Sequence, residues 1–528
     1  MLTATAAEPA ERVVEIELER NNVFVAEPDS RLPLLYRLAN SLHVTTRPFV
    51  IRNELLIEEG EPFDSLRFAE SLRLLRNRNL FQAVSGSTAV TDSGVVAHVR
   101  TQDYWTLRVQ TGYSRGGGDQ NALLGVYDSN ILGTGNTVTL TQRWSTDRDQ
   151  TRLAVVLPRL VGRRESLSFQ FRQTSDGRVT DLGLGRSPDT PSESWSYGLG
   201  AYRVDGEWTH YEEDEEVAEF DFREEYGLLY VGRYTGEETQ TGAGFGGLYF
   251  DFTPDSLRYL RQPLELIDEP GEEAYRMLFA MAGAKKRRFI KTRYLERIGV
   301  VEDFPLGWAA QVIFGRNIHG LGASDRRSHA ELILQGSTRW SDHWWAAVDA
   351  WGSAEWEDGV AGRQRLRLDS RLMYRHTLKT LTALQLSGRF GRRLPSEERA
   401  YLGGRSGLRG YPTRALGGNQ YLLLNLENRV WTPLRVLFFE LGFSVFGDIA
   451  WLSDRRQSFS GARPRPAAGV GLLIGNRKAV SGILRVELAR RLDGVSELDL
   501  IITMNTLLRL IPEVNIPAPV FDLYNHKL

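Results

Sequence analysis

A glycine-rich stretch contains the residues of this chain that are best suited to specific polar chemistry. It reads Tyr401-Leu-Gly-Gly-Arg-Ser-Gly-Leu-Arg-Gly-Tyr-Pro412 and is soon followed by Gly417-Gly-Asn-Gln420. Glycine accepts positive φ angles and close backbone approach, so this run is typical of a loop that folds against another surface. If that surface is a closed interior, Arg409 requires a carboxylate, because an unpaired guanidinium away from water is costly.

Two carboxylates on the following segments could pair with Arg409. Glu427 lies in residues 421–430, where leucines alternate with polar residues, and Asp448 lies in a second alternating segment, residues 440–451. In extended strands this alternation puts both carboxylates on a polar face. The planar fork of arginine binds a carboxylate through two parallel hydrogen bonds, which fixes orientation as well as charge. The alternative is an exposed loop whose Arg409 meets only water, and the spacing does not decide between the two.

The elements that would position these residues are strands. From Tyr104 to residue 508, apolar and polar residues alternate with period two, and no stretch approaches the ~18 consecutive apolar residues of a spanning helix. One apolar and one polar face fits lipid outside and a wet lumen inside, although a soluble sandwich also alternates. We therefore predict a mainly β fold, a transmembrane antiparallel β-barrel of about 16 strands over residues 104–508. Long loops are expected over residues 211–225 and 254–286.

The first hundred residues follow a different pattern. A strand pattern over residues 13–19 precedes two helix starts, one at Thr46 with a proline two residues later and one at Asp64. Two further strand candidates cover residues 81–89 and 94–101. The order β-α-α-β-β predicts one small α+β domain ahead of the barrel.

These patterns divide the chain into four parts. Residues 12–103 form the α+β domain and residues 104–508 form the barrel. Residues 1–11 resemble the small-residue end of a secretory signal, which favours a trimmed N-terminus or a late start. Residues 509–528 form a C-terminal tail.

Several motifs resemble those of the BamA/TamA outer-membrane assembly superfamily. Leu408-Arg-Gly-Tyr411 resembles its [VI]RG[FY] loop signature, and Phe446-Gly-Asp-Ile-Ala450 resembles its FxDxG strand motif. Three further likenesses are an early turn, an inward glutamate and a mid-barrel turn, at Asn130-Ile-Leu-Gly-Thr-Gly135, Asn425-Leu-Glu-Asn-Arg429 and Glu302-Asp-Phe-Pro-Leu-Gly307. The N-terminal β-α-α-β-β segment looks like a single POTRA domain. The order and spacing of these motifs, over residues 12–508, are more specific than any one of them.

The resemblance implies a site and a function. Arg409 would reach into the lumen and pair with Asp448, with Glu427 nearby, while Leu408, Gly410 and Tyr411 complete the inward-loop motif. The chain would assemble, insert or translocate unfolded outer-membrane or secreted polypeptides, with its POTRA-like domain in the periplasm of a Gram-negative cell. Outer-membrane lipid and lipopolysaccharide would surround the barrel, and periplasmic chaperones or lipoproteins would be further partners. No cofactor and no metal is expected.

Three departures from the family pattern argue against the role of a general insertase. Ala450 stands where the FxDxG motif ends in glycine. Only one POTRA-like domain is visible, whereas the general insertase carries several. The last strand candidate, residues 498–504, leads into the tail and does not end the chain on an aromatic residue. None of these departures affects the barrel.

Composition and missing motifs bear on other classes of protein. The net charge of -2 and the pI near 6.5 give no nucleic-acid signature, and the absence of cysteine excludes a disulfide framework and a thiolate metal site. The chain has no G-x-S-x-G elbow, no H-E-x-x-H and no P-loop, so we predict that it is not an enzyme. The alternatives to a polypeptide-handling barrel are a passive channel or lipid-handling barrel, a barrel-rim hydrolase and a soluble β-protein.

Overall fold

A computed structural model gives the structure of the chain in stretches. The described residues are 12–24, 40–41, 43–116, 119–145, 148–160, 164–186, 194–212, 215–262, 267–395, 398–412, 414–437, 439–453, 459–476, 483–494, 498–503 and 509–515. The predicted N-terminal segment 1–11 and the part of the predicted tail beyond residue 515 lie outside them.

The N-terminal part is a three-stranded sheet with two helices. Its elements are β1 (Val13–Asn21), α1 (Pro48–Arg52), α2 (Ser65–Asn77), β2 (Phe81–Thr91) and β3 (Gly94–Asp103). The sheet order is β1-β3-β2, with β1 parallel and β2 antiparallel to the central strand β3. The outer edge of β2 is therefore one of the two sheet edges.

Local sequence explains where the helices begin. Asp64 is the N-cap of α2, as predicted, and its Oδ1 accepts the backbone N–H groups of Leu66 at 2.8 Å and Arg67 at 3.1 Å. A proline occupies the first turn of α1. The buried face of α2 places Phe68 and Leu75 in the core between helices and sheet. This packing gives the N-terminal unit its own apolar core.

The remaining strands form one large antiparallel sheet in chain order. They are β4 (Leu107–Gly116), β5 (Asp119–Asp128), β6 (Thr137–Ser145), β7 (Gln150–Leu157), β8 (Ser166–Thr174), β9 (Gly177–Arg186), β10 (Trp195–Glu212), β11 (Glu215–Thr235), β12 (Thr239–Pro254), β13 (Arg258–Tyr259), β14 (Glu273–Thr292), β15 (Glu302–Asn317), β16 (Ser328–Arg339), β17 (Trp344–Glu357), β18 (Val360–Thr377), β19 (Thr380–Arg392), β22 (Gln420–Val436), β23 (Phe439–Ser453), β24 (Arg465–Asn476), β25 (Ile483–Arg491) and β26 (Leu498–Thr503). Between β19 and β22, the short strands β20 (Ala400–Leu402) and β21 (Leu416–Gly418) pair with each other outside the large sheet.

The mainly β prediction is confirmed, but the number of strands is wrong. Over the described residues the large sheet has twenty long strands and the two-residue β13, where about 16 strands were expected from the spanning length of a strand. The difference arises early, because β4 to β9 are only 8 to 10 residues long. Six strands therefore fit where the prediction allowed fewer.

The last strand returns to the first. Among the described residues β26 meets β4 at one paired position, Leu500 with Arg115, whereas β25 and β26 pair over six positions. We call this contact the β4–β26 junction. Over the described residues it has the fewest paired positions of any two neighbouring long strands of the sheet. The strands curve round so that one face of the sheet points inward.

The outward face is apolar over most of the sheet. Large apolar side chains are exposed on strand after strand, at Leu107, Val109, Val126, Leu153, Leu182, Leu199, Leu229, Phe245, Leu278, Val312, Leu332, Val348, Leu366, Leu426, Val445, Val470 and Leu488. The inward face was expected to be wet and polar throughout, and this is wrong for β9 to β15. There a buried apolar and aromatic cluster includes Phe220, Phe250 and Phe279.

The first long loop predicted from the sequence is wrong, and the second was predicted too long. Strand β10 continues to Glu212 and β11 begins at Glu215, whereas β12 ends at Pro254 as predicted but β14 already begins at Glu273. Dense acidic residues in 212–225 resemble a loop, but Ala218, Phe220 and Phe222 alternate with them and are buried. The alternation decides the structure, because a strand exposes its charged residues on one face only.

None of the helices among the described residues is long and apolar enough to cross a bilayer.

Candidate functional site

The late strands of the barrel carry alternate polar side chains on their inner face. On β22 these are Asn425, Glu427 and Arg429, and Asn425 lies directly opposite Asp448 of β23 in register. Strand β24 lies between β23 and β25 and carries Gly471 beside the site, where a Cβ would come within 3.0 Å of the Glu487 side chain. Because glycine has no side chain, the inner face of β24 leaves room for side chains from β23 and β25 to meet over Gly471.

The loop of residues 401–412, here called the inward loop, descends onto this face. Gly410 has a φ of 82°, a left-handed conformation that favours glycine, and a Cβ there would lie 3.4 Å from the Cβ of Ala489 on β25. Leu408 and Tyr411 are buried against Leu423 and other apolar residues of the inner wall. These contacts fix the loop on both sides of Arg409.

Arg409 is fully buried and pairs with three strands at once. Its Nε and Nη2 each donate to a different oxygen of Asp448 at 2.8 Å, which is the bidentate geometry of the arginine fork. Its Nη1 donates to Glu427 at 3.1 Å and to Glu487 at 3.4 Å. The guanidinium also lies over the ring of Phe446, 3.4 Å from its centroid. The structure thus brings the predicted trio of Arg409, Asp448 and Glu427 together.

Two further arginines complete what we call the ion-pair cluster. Arg429 donates through Nε to Glu427 at 2.6 Å. Arg485 donates through Nη2 to Glu427 at 2.7 Å and to Glu487 at 2.6 Å. The cluster therefore holds three guanidinium groups and three carboxylates, all with side chains at most 2 % exposed. Its formal charge is balanced, which is the condition under which buried ions are tolerated.

The contacts of the ion-pair cluster suit it to a structural role. Each of its carboxylates already accepts hydrogen bonds from guanidinium groups, and Asp448 accepts a further one from the Asn425 amide at 2.7 Å. Within the described part of the chain, no group of three or more metal-ligating side chains is placed to hold an ion. The cluster joins the inward loop to β22, β23 and β25.

A second inward segment reaches the same cluster from the opposite end of the barrel. Residues 293–301, here called the floor loop, connect β14 to β15, and the Leu295 carbonyl accepts from Arg429 at 3.4 Å. The buried Glu302 carboxylate accepts the backbone N–H groups of Leu295, Glu296 and Arg297 at 2.9 to 3.0 Å. The floor loop is thereby held across the lumen.

The apolar contact of the floor loop lies on the far wall. Ile298 packs with Trp431 of β22, Leu473 of β24 and Ile483 of β25, all buried. These strands are separated from β14 and β15 by several others in the sheet order. The floor loop therefore spans the lumen and does not lie along its own wall.

The N-terminal unit docks onto the turns at the floor-loop end of the barrel. The Asn130–Gly135 turn, one of the family-like motifs, bonds through the Asn130 amide to Thr46 Oγ1 at 2.8 Å. Thr46 in turn donates through its backbone N and its hydroxyl to Asp103 at 2.7 and 2.9 Å. Burial raises the pKa of Asp103 to about 6, although the bonds from Thr46 act in the opposite direction.

Ion pairs add to this docking. Arg76 of α2 donates to Asp303 of β15 at 2.9 Å, and Arg159 donates to Glu54 at 2.7 Å. Arg78 donates to the Gly135 carbonyl at 2.9 Å. The second family-like motif, at residues 302–307, was predicted as a turn, but it forms the start of β15 and contacts the N-terminal unit through Asp303.

Sequence reasoning named part of this site and missed the rest. It named Leu408, Arg409, Gly410, Tyr411, Glu427 and Asp448. It did not include Arg429, Arg485 or Glu487. A signal was present for the last two, because Arg485, Glu487 and Ala489 alternate with Leu484, Val486 and Leu488 on one strand.

No family model matches this chain, and no curated protein does. Among solved structures, it is similar to CdiB from Escherichia coli, with 11% identity over 95% of this chain and 91% of that chain and a TM-score of 0.46. CdiB from Acinetobacter baumannii matches with 11% identity over 93% of this chain and 72% of that chain, at a TM-score of 0.46. BamA from Haemophilus ducreyi lacking POTRA domains 1-3 matches with 14% identity over 94% and 84%, at a TM-score of 0.37.

Proposed function

We propose that this chain is an outer-membrane barrel that assembles, inserts or translocates polypeptide clients. The apolar outward face supports a lipid environment, since water would make so many exposed aliphatic side chains costly. The N-terminal unit then lies in the periplasm, at the end of the barrel formed by the Asn130–Gly135 turn and the floor loop. Outer-membrane lipid and lipopolysaccharide surround the barrel, and periplasmic chaperones or lipoproteins are further partners.

The N-terminal unit acts as a POTRA domain that captures clients by β-augmentation. In the described residues, β2 pairs only with β3, and its second half from Ser85 onward is exposed. The edge of β1 is partly covered, because Val13 exchanges backbone hydrogen bonds with the Gly60–Glu61 segment. An extended client can therefore add to β2, where main-chain groups provide affinity without a required sequence.

One observation carries the proposal: the neutral, fully buried ion-pair cluster that ties an inward loop to β22, β23 and β25. Adjacent to these braced strands, β26 meets β4 at a single paired position. Counted over the described residues alone, opening that junction separates fewer paired positions than opening any other pair of long strands. We infer that a client strand enters the sheet there, driven by its own strand pairing and by burial of its apolar face in lipid.

This role requires no catalysis, and we propose that the chain is not an enzyme. A passive channel is less well supported, because the floor loop spans the lumen and the inward loop fills part of it. If the chain were a passive channel, its variants would lose function only to the extent that they lose ion flux. No described contact favours a hydrolase at the rim.

Depletion of the protein in its host, followed by quantification of the outer-membrane proteome, tests the proposal. Loss of many barrels would establish general assembly, and loss of one or a few proteins would establish a dedicated factor. An unchanged proteome would contradict the proposal and would favour the passive-channel and lipid-handling roles instead.

Capture by the β2 edge has its own test, because the natural chain lacks cysteine. A Ser87→Cys variant places one thiol on the exposed edge strand, and an Ala69→Cys variant places one at an exposed position of α2 as the matched control. Thiol cross-linking in cells should trap clients at position 87 far more than at position 69. Equal trapping at both positions would rule out capture by this edge.

A further inference from the structure

The chain returns into the barrel after its last strand. Residues 509–515, here called the tail segment, lie against the inner wall at the floor-loop end. Leu510 is 1% exposed and Val514 is 2% exposed, so both are as buried as core residues. The sequence predicted a tail without giving its location, and the structure places this part of it in the lumen.

The contacts of the tail segment are directed mainly to its backbone. The Ile511 N–H donates to Glu296 Oε1 at 2.9 Å, and the Asn515 N–H donates to Gln335 Oε1 at 2.9 Å. The Val514 carbonyl accepts from Arg287 Nη1 at 3.2 Å. Main-chain groups are common to every polypeptide, so these three contacts select an extended backbone and not a particular sequence.

One apolar pocket supplies the side-chain preference. It receives Leu510 and is lined by buried residues from the floor loop and from β15, β17, β18 and β19, namely Leu295, Phe304, Leu306, Trp345, Met373, Leu381 and Ala383. Its apolar lining suits a leucine or isoleucine side chain. A charged side chain placed among these seven apolar residues would lose its hydration, which is costly.

Part of the basic run at residues 285–288 also contacts the tail segment. Lys285 is buried on the inner wall of β14 and donates to the Asn515 side chain at 2.7 Å, and Arg287 holds the Val514 carbonyl. Lys286 instead points outward and pairs with Glu238. Arg287 therefore binds a main-chain carbonyl, which any peptide offers, whereas Lys285 binds the side-chain amide oxygen of Asn515.

We propose that this part of the wall is a polypeptide-binding site, which the chain's own tail segment occupies until a client segment replaces it. The ligand is an extended peptide with a leucine or isoleucine in the apolar pocket. The identity of the natural ligand as a client rests on the proposed function. The site itself does not, since the tail segment already shows the mode of binding.

Occupancy by the tail makes the site self-blocked. A tethered segment is present at an effective concentration in the ~mM range, so a free peptide competes poorly against it. Releasing the tail removes that competition and exposes the floor-loop end of the lumen. A client segment that binds this site therefore displaces the tail segment and clears this end of the lumen.

The test uses the full-length chain and a labelled peptide with the sequence of residues 509–515. Leu510→Asp releases the tail, because a carboxylate cannot enter the apolar pocket. Gln335→Cys with Asn515→Cys, joined by a short bifunctional thiol reagent, locks it. Fluorescence anisotropy in detergent should show binding to the released variant at least about tenfold tighter than to the natural chain, and none to the locked protein.

The controls decide between specific and general binding. A matched peptide with aspartate in place of its leucine should bind none of the proteins. If Leu510→Asp fails to fold, as judged by heat-modifiable gel mobility, a chain ending at Leu508 replaces it. Equal peptide binding by released and locked proteins, or none by a folded released protein, overturns the site. Peptide binding with an unchanged outer-membrane proteome on depletion would instead overturn the proposed function and leave the site standing.

Discussion

Removal of Arg409 is the sharpest perturbation of the ion-pair cluster. Arg409→Ala leaves the carboxylates of Glu427, Asp448 and Glu487 facing only Arg429 and Arg485, so one buried negative charge is uncompensated. Asp448 loses the most, because both of its oxygens accept from Arg409 at 2.8 Å. The expected result is a large loss of barrel stability with the fold otherwise retained.

The size of the loss follows from the charge balance. Removing one partner of a buried ion pair costs about 3–5 kcal/mol, and we expect that range for Arg409→Ala and for Asp448→Ala. The double variant restores balance, with two arginines against two glutamates. Its loss should therefore fall short of the sum of the single losses by about 2–3 kcal/mol. Arg409→Lys keeps the charge but not the fork, and its loss should be intermediate.

Equilibrium unfolding in urea of each variant, refolded into lipid vesicles, measures these losses. Lys286→Ala serves as the matched control, because the Lys286–Glu238 pair is also on the barrel but has side chains 49% and 80% exposed. Exposed pairs contribute little, so this variant should unfold close to the natural protein. Additive losses in the double variant, or an Arg409→Ala variant as stable as the control, would refute direct pairing in a buried cluster.

Three further predictions concern the loops and the N-terminal unit. Gly410→Ala should cost about 1–2 kcal/mol in the same unfolding assay, because its φ of 82° is strained for alanine and Ala489 is in contact. Asp103, with a folded pKa raised to about 6 against about 4 unfolded, should make the N-terminal unit lose about 3 kcal/mol of stability as pH rises from about 3 to about 7, and Asp103→Asn should flatten that profile in hydrogen exchange. A gain with rising pH would contradict it. Glu302→Gln weakens the acceptor of three backbone N–H groups, so amide hydrogen exchange at residues 295–297 should accelerate at least about tenfold. An unchanged exchange rate would show that the floor loop is held by Ile298 and its neighbours instead.

The sequence was informative about the type of fold and less so about its dimensions. Period-two alternation with an apolar face is a local property, and it indicated that the chain from β4 to β26 is built of strands, although the first half of β11 and most of β14 were predicted as loops. The number of strands depends on their lengths, which range from 6 residues in β26 to 21 in β11. No local pattern sets where a long strand ends. For that reason the acidic start of β11 was predicted to lie in a loop, although it continues the strand.

At the site, the alternation placed two carboxylates, Glu427 and Asp448, on a polar face, but the spacing left open whether Arg409 pairs with them. The pairing was predicted from the resemblance of the loop and strand motifs to those of a known family. The participation of Arg485 depends on the closeness of β25 to β22 across the inner face, which chain order alone does not give. The floor loop depends likewise on a contact between Ile298 and strands about 130 to 190 residues away in the chain.

The position of the ion-pair cluster relative to the β4–β26 junction bears on mechanism. The inward loop reaches the cluster from one end of the barrel and the floor loop from the other, and both are tied to β22, β23 or β25. Among the described residues, the side-chain ion pairs of the cluster reach β22, β23 and β25 but neither β26 nor β4. Had the brace spanned the junction, opening it would have required separating buried charges at a cost of several kcal/mol. Under the proposed function, a brace that stops at β25 would let the junction part while the late strands keep their shape, so that a client strand would meet a rigid edge.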